Sequence, residues 1–217
     1  MGGGKALTSP VRSEGERGRG TLLERFAALV LAGGGARRMR GRDKTSMLVG
    51  GVSLRDRVLA AVGDARPRVV VGGVADVPPG VIFVREEPAG GGPVAAVGAG
   101  MDLVGPDVDQ VALVAADLPL LSAGAIGTLR AALSTADAAL FVDPGGRRQL
   151  LCGVWRVEAV RRRLAEIGRA DLSGASMRAL VDGLDVVEVS WTGDGLPPWF
   201  DCDTDDDFRR VREWVAE

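Results

Sequence analysis

The sequence predicts an α/β protein with a single doubly wound, mostly parallel sheet and helices on both of its faces. From Phe26 onward, short apolar runs alternate with amphipathic segments, which is typical of buried parallel strands flanked by helices. Hydrophobic residues make up 46% of the chain and aromatic residues only 4%, so Ala, Val and Leu must fill the core. The 217 residues contain no internal repeat and no linker long enough to separate two domains. One domain with an aliphatic core is therefore predicted.

The segments follow one another in a regular order. Strands are predicted where apolar runs are bounded by turn-forming or charged residues, at 26–31, 68–71, 81–85, 110–116, 138–143, 149–155 and 184–189. Helices are predicted where apolar residues recur at helical spacing, at 53–62, 93–104, 122–133, 157–167 and 206–217. Ser122 stands at the N-cap position of the third of these helices. Residues 1–22 are rich in Gly, Arg and Ser and are predicted to be a disordered extension before a domain at 23–217.

The composition excludes several classes of chemistry. The chain has no His, so it has no Ser-His-Asp or Cys-His catalysis, no histidine general base and no His-ligated zinc or haem. Tyr and Asn are also missing, and Lys5 and Lys44 are the only lysines among 27 basic residues. An enzyme with this composition must work with carboxylates, one or two lysines, arginines and backbone amides, and a hard metal ion is a further option.

Charge and cysteine content indicate where the protein acts. A net charge of −2 and a pI of about 5.4 offer no basic field to a nucleic acid. No apolar run approaches the roughly 20 residues of a membrane span, and no secretory signal is present at the N-terminus. Cys152 and Cys202 are too few for a disulfide framework. A cytoplasmic protein without nucleic-acid or membrane partners is predicted.

The most informative segment is the glycine-rich loop within residues 29–48. A predicted strand runs directly into Gly33, Gly34 and Gly35, and Arg37, Arg38 and Lys44 follow. Glycines at the carboxyl end of a strand let backbone N–H groups approach an anion, and this edge of an open α/β sheet is where ligands bind. The loop matches neither the P-loop nor the GxGxxG pattern. It is interpreted as a phosphate site built around Lys44; the alternative is a flexible surface loop without a ligand.

Acidic residues form a second candidate feature. Asp117 follows a buried strand and would reach the same edge of the sheet, as a ligand of a hard metal does; the alternative is a turn or N-cap aspartate. The aspartates at 205–207 suit the first turn of the final helix. Asp201 and Asp203 alternate in an extended segment, so both point the same way and either can face the site.

A third segment, residues 85–100, carries Glu86 and a glycine-rich turn that ends at Gly92 before Pro93. Backbone amides at the start of the following helix can bind an anion or the edge of a base. Packing of this turn between helix and strand is the alternative. Arg147 and Arg148, in the turn between two predicted strands, can bind a phosphate-bearing acceptor, although no motif supports this role.

The motif LAGGGARRMRGRDK at 31–44 resembles the signature of the molybdenum cofactor guanylyltransferase (MobA-like) nucleotidyltransferases. Asp117-Leu118-Pro119 is similar to the D-x-P motif of that family, and residues 85–100 and 199–208 are similar to two further motifs. The resemblance implies a Rossmann-like nucleotidyltransferase fold. It also implies roles for individual residues: nucleotide contacts by Leu31, Ala32, Gly33, Gly34, Lys44, Glu86, Gly92 and Asp117, catalysis by Arg38, Lys44 and Asp117, and Mg²⁺ ligation by Asp117 and Asp203.

Several positions depart from the family pattern. Arg40, Gly72 and Ala96 stand where the family usually has Gly, Asn and Gly. In the last motif, Asp201 and Asp203 replace two asparagines and Asp205 replaces a proline. The resemblance implies Mg²⁺-dependent transfer of GMP from GTP to molybdopterin-type molybdenum cofactor, with release of pyrophosphate. Molybdenum-insertion or molybdoenzyme-maturation proteins are further candidate partners. The alternatives are a related transferase that uses CTP or acts on a sugar phosphate or small phosphoacid, and a non-catalytic nucleotide-binding adaptor in molybdoenzyme maturation.

Overall fold

The computed structural model describes residues 25–33, 44–73, 75–193 and 196–216. The strands are β1 Phe26–Leu31, β2 Leu48–Val49, β3 Val52–Ser53, β4 Arg68–Val71, β5 Ile82–Val84, β6 Gln110–Ala115, β7 Ala138–Val142, β8 Arg148–Arg156 and β9 Val186–Ser190. The helices are α1 Leu54–Ala61, α2 Pro93–Met101, α3 Ala123–Leu133, α4 Val157–Ile167, α5 Met177–Val181 and α6 Asp205–Ala216. Within the described ranges, no helix has both the length and the apolar character needed to cross a bilayer.

Seven strands form one sheet in the order β5-β4-β1-β6-β8-β7-β9. All neighbouring pairs are parallel except those of β8, which runs antiparallel to both β6 and β7. The chain leaves β1 toward β4 on one side and later returns to its other side as β6. This reversal makes a topological switch point between β1 and β6, where open α/β sheets bind ligands. The predicted doubly wound, mostly parallel sheet is confirmed.

Alternate residues of the central strand pack into two cores on opposite faces of the sheet. Ala28 and Val30 face α1 and α3, while Ala27 and Leu29 face α2, α4 and α5. Because side chains of a strand alternate between faces, a strand buried on both sides must be apolar throughout, and all six residues of β1 are buried. A third, smaller cluster joins α6 to the β2–β3 hairpin through Val49, Leu54, Cys202, Phe208 and Val211.

The structure differs from the sequence prediction at short elements and at segment ends. Helix α2 ends at Met101 rather than at 104, because Leu103 and Val104 donate tighter i→i+3 bonds to Gly100 and Met101. Strand β9 begins two residues late because the Leu184 amide bonds back to Val181 in a turn. The β2–β3 hairpin and the five-residue α5 were not predicted, since neither is long enough to show a period.

Candidate functional site

The site lies along the carboxyl edge of the sheet. Glu86, Gly72, Gly33 and Asp117 follow β5, β4, β1 and β6, which are adjacent in that order. Because β8 runs antiparallel to β7, the turn that joins them, residues 143–147, also reaches this edge. A cleft of about 1290 Å³ runs along the edge. Strand order therefore places residues far apart in sequence along a single cleft.

Lys44 lies at the centre of the site and is only 3% exposed. It begins a 3-10 turn, Lys44–Ser46, and its Nζ donates to Asp117 Oδ2 at 2.9 Å and to Asp203 Oδ1 at 2.5 Å. Burial by itself lowers the pKa of Lys44, but hydrogen bonds to Asp203 and Asp117 and the charges of both outweigh it, so the pKa is raised above 10.5. Lys44 is therefore a charged ammonium held between two carboxylates. These three residues, for which catalytic roles are proposed below, are called the catalytic cluster.

Asp203 is held in place by the start of α6. The Asp207 carboxylate accepts hydrogen bonds from the Thr204 amide at 2.8 Å and from the Asp203 amide at 3.1 Å, and the Asp207 amide donates to Thr204 Oγ1 at 3.2 Å. This reciprocal arrangement is a capping box. Slight burial raises the pKa of Asp207, but the hydrogen bonds from Thr204 and Asp203 lower it by more, so the net shift is downward. The cap fixes the backbone from which Asp203 reaches Lys44.

Asp201 and Asp203 both line the cleft, while Cys202 between them is fully buried in the small core with α6. This alternation agrees with the extended segment predicted from the sequence. Burial and the negative charge of Asp203 raise the pKa of Asp201. Asp203 is the one of the pair that forms a salt bridge with Lys44. Burial raises the pKa of the Cys202 thiol, and likewise that of Cys152, to about 12.

The Asp117 and Asp203 carboxylates are candidate ligands of a divalent cation. Within the described ranges, no group of three or more His, Cys, Asp or Glu side chains is arranged to hold a metal ion. Asp117 and Asp203 nevertheless converge on one point, where the Lys44 ammonium lies within 3 Å of an oxygen of each. Mg²⁺ is commonly bound by one or two carboxylates that are completed by substrate phosphates and water. A carboxylate pair of this kind suits a metal that arrives with a polyphosphate.

On the other side of β1, Gly33 and Gly72 surround the side chain of Glu86. A Cβ on Gly72 would lie 3.1 Å from Gly33 Cα and 3.3 Å from Glu86 Oε2. Gly72 also has a φ of +76°, so glycine suits this position in both conformation and space. Glu86 is 4% exposed; its Oε1 accepts from the Gly90 amide at 2.9 Å, and its Oε2 is buried without a hydrogen-bond partner in the described structure. We call these three residues the Glu86 pocket.

The remaining predicted nucleotide contacts lie near this pocket. Leu31 and Gly33 line the cleft, whereas Ala32 is buried and donates its amide to Val71 O at 2.8 Å. Gly92 lines the cleft at the N-cap of α2, with a φ of +92° that favours glycine. Gly34 and Arg38 lie outside the described residues. The structure thus brings Leu31, Gly33, Glu86, Gly92, Asp117 and Asp203 to one cleft, and the buried Lys44 bonds to Asp117 and Asp203 from below its lining.

The cleft is also lined by residues that the motifs did not identify. These are Arg147 in the β7–β8 turn, Arg148 at the start of β8, and Met177, Arg178 and Val181 of α5. Trp199 also lines the cleft and packs on Phe141, with the ring centroids 5.3 Å apart. Ser176 followed by apolar residues at 177 and 180 was the sequence signal that could have predicted α5 and its arginine. The turn and α5 together are called the arginine wall.

Comparison with known proteins agrees with this geometry. A family model described as the MobA-like NTP transferase domain matches residues 28–187. A probable molybdenum cofactor guanylyltransferase of Mycobacterium avium is 32% identical over 181 residues, which cover 76% of this chain and 84% of the relative. A molybdenum cofactor guanylyltransferase of Rhizobium johnstonii is 30% identical over 205 residues, which cover 88% of this chain and 93% of the relative.

Solved structures agree on the fold. Molybdopterin-guanine dinucleotide biosynthesis protein A from Archaeoglobus fulgidus superimposes with a TM-score of 0.68 at 21% identity, covering 88% of this chain and 98% of its own. The 2-C-methyl-D-erythritol 4-phosphate cytidylyltransferase from Thermus thermophilus superimposes with a TM-score of 0.66 at 20% identity, and the match covers 89% of this chain and 100% of that protein. At these identities the likeness concerns the fold alone.

Proposed function

Because the chain belongs to the MobA-like NTP transferase family and is a nucleotidyltransferase, we propose that it transfers GMP from GTP to the phosphate of a molybdopterin-type cofactor, with Mg²⁺ bound and pyrophosphate released. The observation that carries the proposal is the catalytic cluster, in which Lys44 joins Asp117 and Asp203 at the switch point of the sheet. A cytoplasmic location and contacts with molybdoenzyme-maturation proteins belong to the same proposal.

The reaction suits a chain without histidine. A phosphate oxygen of the acceptor attacks the α-phosphorus of the nucleotide, the bond to the β-phosphate breaks, and pyrophosphate leaves with the electron pair. A phosphomonoester is already largely ionised at neutral pH, since its second pKa is about 6, so no general base has to remove a proton. Catalysis then rests on positioning and on stabilisation of negative charge.

Each member of the cluster has a separate task in this proposal. Asp117 and Asp203 would hold Mg²⁺, which supplies charge neutralisation on the triphosphate when it is bound. Lys44 stabilises charge on the transferring phosphate, and Arg38, from the glycine-rich loop, is proposed to assist it. Gly33, Gly34 and Gly92 are proposed to bind the nucleotide through their backbone, since a loop with few side chains lets phosphates approach N–H groups. Leu31 and Ala32 are proposed as further contacts, which for Ala32 do not use its N–H because that group donates to Val71 O.

Glu86 supports guanine as the base. A buried carboxylate with a free oxygen is an acceptor, and it suits a base that presents adjacent N–H donors. Guanine offers such an edge through N1–H and its 2-amino group. Cytosine presents its amino group beside the N3 acceptor, which a carboxylate would repel. A site whose carboxylate accepts hydrogen bonds from two N–H groups of the base discriminates strongly against a base that lacks those N–H groups.

Profiling of pyrophosphate release tests the function. Purified protein with Mg²⁺ is given GTP, CTP, ATP or UTP, together with molybdopterin or with a sugar phosphate. The fastest release is expected with GTP and molybdopterin. A preference for CTP or for the sugar phosphate would replace this proposal with the related transferase.

Asp203→Ala is expected to lower turnover more than Asp201→Ala, and the reverse order would assign the second metal ligand to Asp201.

A further inference from the structure

The segment that leads into α5 contacts the turn beside the Glu86 pocket. Residues 172–176, called the strap below, lie between α5 and the 3-10 turn that follows α4. The Gly174 amide of the strap donates to Gly91 O at 2.8 Å. Gly91 is preceded by Gly90, whose amide donates to Glu86 Oε1 at 2.9 Å. A short series of main-chain contacts therefore connects the strap with the Glu86 carboxylate.

Glycines let the strap approach α2 and this turn closely. A Cβ on Gly91 would lie 3.3 Å from Ser173 Oγ, and a Cβ on Gly98 of α2 would lie 3.0 Å from Leu172 Cδ1. Leu172 and Ala175 also pack against the core on this face of the sheet. Side chains at the two glycine positions would hold the strap away. The strap therefore rests directly on the backbone that carries Gly90 and Gly91.

Helix α5, which continues the strap, depends on support from its neighbours. It has only five residues, and a helix shorter than about 12–15 residues is marginal by itself. Ser176 Oγ accepts from the Ala179 amide at 3.2 Å and caps its first turn. Near its other end, Arg163 of α4 donates from Nη2 to Ala179 O at 2.8 Å and from Nε to Leu180 O at 3.4 Å. Arg163 thus satisfies carbonyls that so short a helix leaves without partners.

The Arg163 side chain is itself held in place. Its third guanidinium nitrogen, Nη1, pairs with Glu166 of the same helix, and the side chain is only 18% exposed. All three guanidinium nitrogens are therefore engaged within the protein, and the planar fork of arginine keeps their directions fixed. Arg163 acts on α5 and does not line the cleft.

Arg161 makes a comparable contact at the opposite end of α2. Its Nη2 donates to Val104 O at 2.7 Å, and Val104 lies beyond the C-terminal end of α2. The cleft is instead lined by Gly92 and Pro93 at the N-terminal end of this helix. Arg161 and Arg163 thus share one helix and one kind of hydrogen bond, but only Arg163 contacts the helix that follows the strap.

We propose that Arg163 is a positioning residue for base recognition, which holds the Glu86 carboxylate through α5, the strap and the Gly90–Gly91 turn. The inference rests on the proposed function, in which Glu86 selects guanine. Among the described residues, the Glu86 carboxylate accepts one hydrogen bond, from Gly90, so its orientation depends on the turn that carries Gly90. A hydrogen bond weakens steeply when its distance or angle leaves the preferred range. A small displacement of this turn therefore changes base selectivity.

Steady-state kinetics with Arg163→Ala test the proposal. The ratio of kcat/KM for GTP to that for CTP is expected to fall about threefold, because Glu86 is retained but less well oriented. The kcat with GTP should change less than about twofold, since other contacts hold the catalytic cluster. Partial unfolding would lower activity with both nucleotides by the same factor and leave the ratio unchanged. Arg163→Lys keeps one donor for the α5 carbonyls and should restore part of the ratio.

Two further variants make the test specific. Ser176→Ala removes the cap of α5 and should lower the ratio in the same direction. Arg161→Ala, the matched control, should leave the ratio unchanged although it removes a similar hydrogen bond. An equal fall of the ratio in Arg161→Ala and Arg163→Ala, or a wild-type ratio in both Arg163→Ala and Ser176→Ala, would overturn the proposal.

The carboxyl-carbon NMR signal of Glu86, assigned by its loss in Glu86→Gln, separates this proposal from the proposed function. In the nucleotide-free protein, Arg163→Ala should shift this signal and Arg161→Ala should not. A shifted signal together with a lowered ratio supports both proposals. An unchanged signal in Arg163→Ala rejects the positioning role and leaves the transfer reaction standing. If the wild-type protein does not prefer GTP, the base assignment of the proposed function falls, and the Glu86 signal alone decides the role of Arg163.

Discussion

The two halves of the cleft are built from different kinds of backbone. The half with the catalytic cluster and the Glu86 pocket follows the ends of four adjacent parallel strands, and its Lys44 and Glu86 side chains are almost fully buried. The arginine wall consists of a hairpin turn and a five-residue helix, and it presents exposed guanidinium groups. Buried charges in a sheet edge hold one geometry, whereas exposed arginines on a turn adapt to the ligand. The comparison indicates that the catalytic cluster and the Glu86 pocket have fixed geometry, whereas the arginine wall can adjust to a ligand.

The largest expected effect comes from Asp117→Ala. Loss of this carboxylate should lower turnover by at least ~10³-fold while GTP binding in the absence of metal persists, because the metal site is lost but the Glu86 pocket is intact. Pyrophosphate release and thermal unfolding measure the two properties. Asp64→Ala, at an exposed position that does not line the cleft, is the control. Near wild-type turnover in Asp117→Ala would remove the catalytic cluster from the mechanism.

Lys44→Met tests whether the ammonium competes with a metal ion for the carboxylates. Turnover should fall by about 10²-fold, since charge stabilisation at the transferred phosphate is lost. The affinity of the nucleotide-free protein for Mn²⁺ should rise about tenfold, because Asp117 and Asp203 are no longer compensated by Lys44. Electron paramagnetic resonance of free Mn²⁺ measures this affinity. Lys44→Arg keeps the positive charge and should bind Mn²⁺ as weakly as the wild type; equal affinity in Lys44→Met would contradict the competition.

Glu86→Gln tests the assignment of the base. The ratio of kcat/KM for GTP to that for CTP should fall about tenfold, because one acceptor of the carboxylate is replaced by an amide donor. The neighbouring Glu87→Gln is a matched control, since Glu87 is exposed and does not line the cleft. An unchanged ratio in Glu86→Gln would move base recognition away from the Glu86 pocket and leave the rest of the site unaffected.

The smallest effect is expected from the cysteines, one beside each half. Cys152→Ala and Cys202→Ala should retain turnover within about twofold, because both thiols are buried and have pKa values raised to about 12. At pH 8 only about one thiol in ten thousand is then a thiolate. A chromogenic disulfide reagent should label the native protein slowly and both cysteines rapidly in denaturant. Fast native labelling with loss of activity would show that a thiol is accessible and contributes to the site.

The sequence indicated the residues of the catalytic cluster more clearly than those of the arginine wall for a physical reason. Phosphate and metal chemistry demands glycine, lysine and aspartate at the ends of particular strands, so Gly33, Lys44 and Asp117 were recognisable from residue type and position. The strands themselves were predictable because burial on both faces requires continuous apolar runs such as the one at 26–31. Segment ends shifted where local turns, such as the one after Met101, took over the backbone hydrogen bonds.

Other parts depend on tertiary contacts that no local pattern reveals. The salt bridge between Lys44 and Asp203 spans 159 positions, and nothing near either residue indicates its partner. Arg178 was missed because α5 is too short to show a helical period. The unpartnered Glu86 oxygen is a consequence of the folded glycines around it, not of its own sequence segment.

The antiparallel course of β8 bears on how such a protein can change. Strand β7 runs toward the carboxyl edge of the sheet, and the adjacent strand β8 runs away from it. The turn between them can therefore be lengthened or exchanged without altering the register of the parallel strands. A replacement hairpin can thus be grafted between Val142 and Arg148 while the switch point at β1 and β6 stays the same. Divergence toward new ligands is then a modular change, in which one loop evolves and the rest of the sheet edge is inherited.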